Sequence, residues 1–438
     1  MTARNRELVA LVPATLLLIA GFTAIFIQES NVVSNVSLTY GAAFLALCLV
    51  THLVIRFTLP YADPYLFPLV AVLACFGLVI IYRINDVQAR QQAQWFVVGL
   101  ILFTLTILLV RDLRVLERYR YTIALVGLVL LFLPRLPGIG DPVNGAYLGI
   151  KVGPVAFQSA EFGKLAIIVF LASYLRDTRQ LLVQGQTKIL GFALPPLRTL
   201  GPLLFVWGAA MLMLIFIRDL GSSLMYFGGF LALLYVATNR PSFVLFGLIL
   251  FGLGAWFMGT HIPHVQDRVD VWLDPFNPRW VQGTGYQISQ SMFAQADGGL
   301  FGTGFGASLL TVGHDTLIPA PQTDLIYAVI VNELGLVGAC GLILVYLLFA
   351  ERGFKTAMLA TDSFSKLLAV GLSSVFALQV FVIVGGVTRV IPLTGVTLPF
   401  VSYGGSSIMA NFVLLALLLI VSDQARRPAA GSNGRRRR

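Results

Sequence analysis

Apolar runs long enough to cross a lipid bilayer recur along the whole chain and restrict its fold more than any other feature. Residues 8–28 and 367–388 are two examples. Inside lipid, backbone N–H and C=O groups must be paired within the chain, and a helix of about 20 apolar residues pairs them. Hydrophobic residues make up 57% of the 438 residues and charged residues only 11%. The chain is therefore predicted to be an all-α polytopic membrane protein.

Basic residues set the predicted orientation. Twelve spans are predicted, at about 8–28, 37–55, 65–82, 94–110, 121–135, 161–175, 200–217, 221–238, 242–258, 325–350, 367–388 and 406–422. If the N-terminus is inside, most of the 30 basic residues fall in inside segments, as the positive-inside rule requires. Both termini are then cytoplasmic, and residues 423–438 form a basic tail near the anionic inner leaflet. The net charge of +10 is interpreted as a topology signal, so no nucleic-acid partner is expected.

Three outward segments are rich in glycine, proline and polar residues, at 135–160, 259–324 and 388–407. Non-helical backbone at membrane depth must be buried in protein or line a wet cavity. Three such segments on one side therefore favour an extracytoplasmic cavity. The alternative is that they are three unrelated surface loops.

Asp324 lies at the end of the longest outward segment, directly before an apolar helix. One interpretation is a helix cap, since aspartate accepts hydrogen bonds from free N–H groups and suits the positive end of the helix dipole. The other is a partly desolvated carboxylate whose pKa is raised, so that it serves as a general base. The residues alone leave both open.

A second acidic residue, Glu161, stands three positions before Lys164 at the start of the sixth span. This spacing puts both on one helix face, where they are predicted to pair. The pair either anchors the helix or positions a cation for an anionic headgroup. Glu333, about two and a half turns beyond Asp324, is expected to have a basic or hydroxyl partner.

Other polar residues carry weaker signals. The outward residues Arg268 and Arg389 could bind phosphate, although each alone also fits a solvated charge. Asp219 is predicted to cap a turn. The four histidines lack the spacing of a metal site, so the sequence predicts no specific metal ligands.

Several motifs, in this order, resemble the SEDS family of bacterial membrane glycosyltransferases, which includes RodA, FtsW and SpoVE. The motifs lie at 144–164, 219–224, 285–291, 302–306, 323–335 and 392–407. Two departures are Gly149, where the family usually has tryptophan, and Ser159, where it usually has proline. The chain looks most like RodA-type members of actinobacteria.

The resemblance implies a SEDS-type helical core of about ten transmembrane helices over residues 65–422. It also implies a large extracytoplasmic loop at 259–323 and two extra transmembrane helices in residues 1–64. The implied activity is an inverting peptidoglycan glycosyltransferase in the bacterial cytoplasmic membrane, which polymerises lipid II into glycan strands at the outer face. It would serve cell-wall elongation, cell shape or division, with undecaprenyl pyrophosphate as the leaving group.

The resemblance further implies roles for particular residues. Asp324 is the expected catalytic base. The expected substrate-binding residues are Glu161, Lys164, Arg268, Gln287, Gln290, Arg389, Ser406 and Ser407. Asn144, Asp219 and Glu333 are expected to support them. No cofactor is expected with certainty, but a divalent cation, Mg²⁺ or Mn²⁺, would suit the departing pyrophosphate. The implied partner is a class B penicillin-binding protein, the transpeptidase that crosslinks the strands.

Two other classes of function fit the composition. A transporter that flips lipid II also needs many spans and intramembrane charges, although no inverted repeat is visible. A scaffold would bind lipid in the cavity while a partner catalyses. Strand synthesis by the purified chain separates an enzyme from both.

Overall fold

The computed structural model describes residues 2–30, 35–136, 139–143, 146–152, 155–184, 187–189, 192–194, 201, 204–205, 207–208, 211, 220–308, 311–312 and 315–427. Within them the α-helices are α1 (Ala3–Ala10), α2 (Val12–Ser30), α3 (Asn35–Thr58), α4 (Leu66–Ile84), α5 (Asp86–Leu109), α6 (Arg114–Arg118), α7 (Arg120–Phe132), α8 (Ala160–Gln184), α9 (Leu220–Thr238), α10 (Pro241–His261), α11 (Pro263–Leu273), α12 (Tyr286–Gly298), α13 (Ile326–Leu359), α14 (Ser363–Val387) and α15 (Gly405–Arg426).

Within the described residues, the strands form small antiparallel sheets in the connections between these helices. The strands are β1 (Gly140–Val143), β2 (Ala146–Val152), β3 (Val155–Phe157), β4 (Thr187–Ile189), β5 (Phe192–Leu194), β6 (Thr311–Val312) and β7 (Asp315–Thr316). The first sheet has the order β1-β2-β3, and the other two are single hairpins. The fold is therefore built from helices, which confirms the prediction of an all-α membrane protein.

Among the described residues, nine helical segments are long and apolar enough to cross a membrane, and the chain is a multi-pass membrane protein. Two predicted spans correspond to helices outside that set. The span at 121–135 is α7, which has only 13 residues and continues as one 3-10 turn. The span at 161–175 lies in α8, which carries several charged residues along its 25. The predicted span at 200–217 falls mostly outside the described residues.

The core of the bundle is formed around α15. This helix packs on α5, α13, α14 and α8, and 89% of its central window is buried. By contrast, α10 is almost wholly exposed and apolar, as expected of a helix that faces lipid. The segment 259–323, predicted to face outward, contains α11 and α12, and α12 packs against both α13 and α14.

The predicted N-terminal helices pack on this core through α2, which contacts α4. At one end of the bundle, the buried Arg4 forms an ion pair with Glu7 and also donates to the carbonyl of Ala62. The second Glu7 oxygen lies 2.7 Å from Nδ1 of His52 on α3. Buried charges are costly unless paired, and here each partner belongs to the extra helices or to the connection that joins them to the core.

The helix α13 is broken near its first third. Gly335 has φ 66° and ψ −170°, so the helix consists of a short half before it and a long half after it. Residues 299–304 fill the break: the N–H groups of Leu336 and Val337 donate to the carbonyls of Gly299 and Leu300 at 3.0 and 3.1 Å. A broken helix at membrane depth is stable only when its free polar groups are paired in this way.

Candidate active site

Asp324 lies just before the short half of α13. The N-cap residue of that helix is Leu325, and no side chain caps it, so the helix-cap interpretation of Asp324 is wrong. Its carboxylate accepts no hydrogen bond from any residue that the structure describes. A Cβ placed on Gly395, which has φ 73°, would lie 3.5 Å from Oδ2 of Asp324. The carboxylate therefore faces glycine backbone rather than a hydrogen-bond donor.

The environment of Asp324 changes its acidity. Burial disfavours the charged form and raises the pKa of Asp324 to about 6, although the nearby Arg268 guanidinium acts in the opposite direction. A carboxylate with a pKa near the working pH is suited to general base catalysis, since it is mostly ionised at neutral pH and still accepts a proton readily.

The connection between α14 and α15, residues 388–404, is fixed directly to the turn that carries Asp324. Ser402 Oγ donates to the carbonyl of Thr323 at 2.7 Å and accepts from the N–H of Leu398 at 2.9 Å. The N–H of Tyr403 donates to the carbonyl of Gln322 at 2.8 Å. We call residues 388–404 the α14–α15 loop.

Two cationic side chains lie near this part of the loop: Arg268 contacts the loop directly, and Lys164 is linked to it through Gln379. Arg268 on α11 donates to the carbonyl of Leu393 at 3.0 Å. On the other side, Gln379 on α14 donates to the carbonyl of Thr397 at 2.9 Å and accepts from Lys164 Nζ at 2.7 Å. The loop thus accepts hydrogen bonds from Arg268 and Gln379 on either side of Gly395, which lies beside Asp324, and Gln379 links the loop to Lys164.

Lys164 also forms an ion pair with Glu161, which confirms the predicted pairing. Each side chain is only 2% exposed. Because a buried charge without a partner is costly, the carboxylate and the Gln379 amide together stabilise the ammonium group inside the bundle. Lys164 is placed as a fixed positive charge behind the α14–α15 loop.

The start of α9 also contacts this loop. A Cβ placed on Gly221 would lie 2.2 Å from Val396 and 2.9 Å from Thr394, so only glycine fits there. Gly221 belongs to the motif that begins at Asp219, but Asp219 lies outside the described residues, and so does Asn144. Their predicted supporting roles stay predictions.

Arg389 has a structural contact in addition to its predicted role. Its guanidinium donates to the carbonyls of Trp272 and Leu273 at 2.8 and 2.6 Å, at the C-terminal end of α11. Trp272 Nε1 in turn donates to the carbonyl of Arg389 at 3.1 Å. The residue thus joins α11 to the α14–α15 loop.

The remaining predicted substrate residues lie on two helices. Gln287 and Gln290 are partly exposed on one face of α12, and neither forms a hydrogen bond with a described residue. Ser406 and Ser407 are buried in the first turn of α15. Ser406 Oγ accepts from the N–H of Gln158 at 2.8 Å, which ties the segment before α8 to α15.

Glu333 supports the break in α13 and does not contact Asp324. Its Oε2 accepts from the N–H of Gly306 at 2.9 Å, and its Oε1 lies 3.6 Å from Nε of Arg83. Arg83 also donates to the carbonyl of Ser308 at 3.1 Å. The expected basic partner is therefore confirmed as Arg83, and this pair holds residues 302–308 against the broken helix.

Among the described residues, no group of three histidine, cysteine, aspartate or glutamate side chains lies close enough together to hold a metal ion. Asp324 is an isolated carboxylate in this sense. The Mg²⁺ or Mn²⁺ ion suggested by the sequence stays a prediction, and no chemical step is assigned to it.

The structure adds Gln379 and Gly395 to the predicted site. Gln379 lies within an apolar span, where an amide group is costly unless it is paired. That cost could have identified Gln379 as a candidate site residue from the sequence. In the sequence, Gly395 was only one glycine of the motif at 392–407, since its positive φ and its position beside Asp324 depend on the fold.

Comparison with known proteins identifies the family of the chain. The family model of the FtsW, RodA and SpoVE proteins, described as "Cell cycle protein", matches residues 63–427. Peptidoglycan glycosyltransferase RodA of Mycobacterium tuberculosis is 42% identical over 438 residues, covering 98% of this chain and 92% of that protein. Stage V sporulation protein E of Bacillus subtilis is 37% identical over 300 residues, covering 68% of this chain and 77% of that protein.

Solved structures share the fold. One, described as "Structural coordination of polymerization and crosslinking by a peptidoglycan synthase complex", matches with a TM-score of 0.65 and 26% identity over 84% of this chain and 99% of its own. The Thermus thermophilus rod shape determining protein RodA matches with a TM-score of 0.56 and 24% identity over 84% of this chain and 98% of its own. With matches of this extent, the chain belongs to the FtsW/RodA/SpoVE family.

Proposed function

We propose that this chain is a peptidoglycan glycosyltransferase that polymerises lipid II into glycan strands. The observation that carries the proposal is the Asp324 carboxylate: it is partly buried, has no hydrogen bond from a described residue and has a pKa of about 6. Relatives with 42% identity over nearly the whole chain are named peptidoglycan glycosyltransferases, which supports the reaction class.

In the proposed reaction, the acceptor sugar hydroxyl gives its proton to Asp324 while its oxygen attacks the anomeric carbon of the donor. A new C–O bond forms, the bond to undecaprenyl pyrophosphate breaks with inversion, and the electron pair leaves on the pyrophosphate oxygen. Arg268 and the buried Lys164 supply positive charge near the α14–α15 loop, where such charge stabilises a developing anion.

The proposal includes the location and the partner. The distribution of basic residues favours cytoplasmic termini, and with that orientation Asp324 would lie at the outer face of the bacterial cytoplasmic membrane. The substrate, lipid II, and the growing undecaprenyl-linked strand would both reach the pocket from the bilayer. A related structure is described as a complex that coordinates polymerization and crosslinking. This supports a class B penicillin-binding protein as the partner of this chain.

A reconstitution experiment tests the proposal. The purified chain in proteoliposomes, with and without the partner, should convert lipid II into strands, and Asp324→Ala should not. Flipping of fluorescent lipid II is measured in the same vesicles, because broken spanning helices also occur in transporters. Equal flipping by both proteins without polymer would favour the transporter, and binding without either activity would favour the scaffold.

The pH dependence of the rate gives a separate prediction. With a pKa of about 6 for Asp324, kcat/KM should rise with pH and level off above about pH 7, where about nine-tenths of the carboxylate is ionised. Arg268 favours the ionised form, so Arg268→Gln should raise the pKa of Asp324 and move this rise to higher pH. The variant should therefore lose more activity at pH 6 than at pH 8.

Arg279 provides the matched control, since it is an exposed arginine in the same outward segment. Arg279→Gln should leave the pH of half-maximal kcat/KM unchanged. A rise that stays in place in Arg268→Gln, or that moves to lower pH, would show that Arg268 does not act on the titrating group.

A further inference from the structure

The end of the bundle opposite Asp324 contains two cavities that share a border. The smaller, of about 410 Å³, lies between the ends of α3, α5 and α15, and the larger, of about 700 Å³, extends to α6, α8 and α14. Arg111, Gln424 and Arg427 line both. The two cavities therefore form one cleft, which we call the basic cleft.

The apolar part of the basic cleft lies at the ends of spanning helices. Its walls include Phe57, Leu59, Ile107, Leu108 and Ile420. Phe57 is 80% exposed, which in a membrane-spanning helix means exposure to lipid. This part of the cleft is suited to the upper portion of an acyl chain.

Four acidic residues line the basic cleft, as many as its arginines, and each has a partner among the described residues. Asp423 pairs with Arg427. Glu117 forms an ion pair with Arg176. Asp362 accepts hydrogen bonds from the N–H and Oγ of Ser365 at 2.9 and 2.8 Å, as the N-cap of α14. Asp112 accepts from the N–H of Arg114 at 3.0 Å.

Two arginines of the cleft are available to bind an anion. Arg111 and Arg114 are exposed, and neither side chain forms an ion pair with a residue that the structure describes. Arg427 uses its Nε for Asp423 at 2.8 Å and keeps its terminal nitrogens available for another anion. Three guanidinium groups thus border one opening, and guanidinium groups bind phosphate oxygens well.

We propose that the basic cleft binds an anionic phospholipid. Its phosphate would contact Arg111, Arg114 and Arg427, while its acyl chain lies along Phe57 and Leu108. A lipid fits better than a soluble anion because the basic and apolar parts are continuous at the ends of spanning helices, as in headgroup sites between transmembrane helices. The orientation in the proposed function makes this lipid one of the inner leaflet; the binding itself does not depend on that orientation.

The test uses the full chain in detergent, with bound lipids counted by native mass spectrometry after addition of phosphatidylglycerol or phosphatidylcholine. We expect the chain to prefer phosphatidylglycerol. The double variant Arg111→Gln/Arg114→Gln should weaken its binding by about tenfold or more, since each basic residue near an anionic lipid contributes roughly fivefold in affinity.

The control is Arg118→Gln/Lys355→Gln, which removes two exposed charges from the same end of the bundle but outside the cleft. It should change phosphatidylglycerol binding by no more than about twofold. Equal losses in the two double variants, or equal binding of the two lipids, would overturn the proposal. Lipid selectivity without strand synthesis would reject the proposed function alone, and strand synthesis without lipid selectivity would reject this inference alone.

Discussion

Asp324→Asn is expected to reduce the rate of glycan strand synthesis by about 10²- to 10⁴-fold, the usual contribution of a general base. Asparagine has nearly the same shape but cannot accept the proton of the attacking hydroxyl. The carboxylate accepts no hydrogen bond from a described residue, so its replacement should not remove a contact that the fold needs. The initial rate of strand formation from fluorescent lipid II measures the effect.

Asp297→Asn is the control for this variant. Asp297 is an exposed aspartate at the end of α12, in the same segment between α10 and α13 as Asp324. Its replacement should change the rate by no more than about twofold, as for a typical surface substitution. A loss in Asp297→Asn as large as that in Asp324→Asn would indicate a general effect of charge in this segment rather than proton transfer.

Gly335→Ala is expected to have the largest effect on stability. At φ 66° a side chain costs about 1–3 kcal/mol. In addition, the new Cβ would lie 2.4 Å from both the backbone nitrogen of Gly302 and the carbonyl oxygen of Leu300. The backbone of residues 299–304 forms hydrogen bonds with the free polar groups of the broken helix, so it cannot move away from a new Cβ without losing those bonds. We expect a lower melting temperature and a low yield of monodisperse protein.

Gly341→Ala is the matched control in the same helix. No atom lies within 4 Å of a Cβ placed there, and its φ is not positive. Alanine is favoured over glycine in a helix interior by roughly 0.5–1 kcal/mol, so the melting temperature should stay the same or rise. If Gly335→Ala melts like Gly341→Ala, the break in α13 is not a fixed part of the fold.

The sequence was sufficient where a local rule decides the structure. Apolar runs predicted most of the spanning helices because lipid requires internally paired backbone. The three-residue spacing of Glu161 and Lys164 predicted their pairing because that spacing defines one helix face. For Glu333, the cost of a buried charge predicted the kind of partner, but not that this partner is Arg83 on another helix.

The sequence was insufficient where distant segments meet. The run at 325–350 was predicted as one continuous span, although it contains Asn332, Glu333 and Gly335. The break at Gly335 depends on the backbone of residues 299–304, which the run itself does not show. The contact of Gly395 with Asp324 likewise depends on how the α14–α15 loop packs. The helix-cap alternative for Asp324 could be excluded only by the position at which α13 begins.

Parallel measurement of lipid II binding and strand synthesis, for the wild type and Asp324→Asn, tests the central claim most directly. If Asp324 is the base, the variant should bind lipid II with an affinity close to that of the wild type and form strands at least about 100-fold more slowly. Strand synthesis at the wild-type rate by Asp324→Asn would contradict the account.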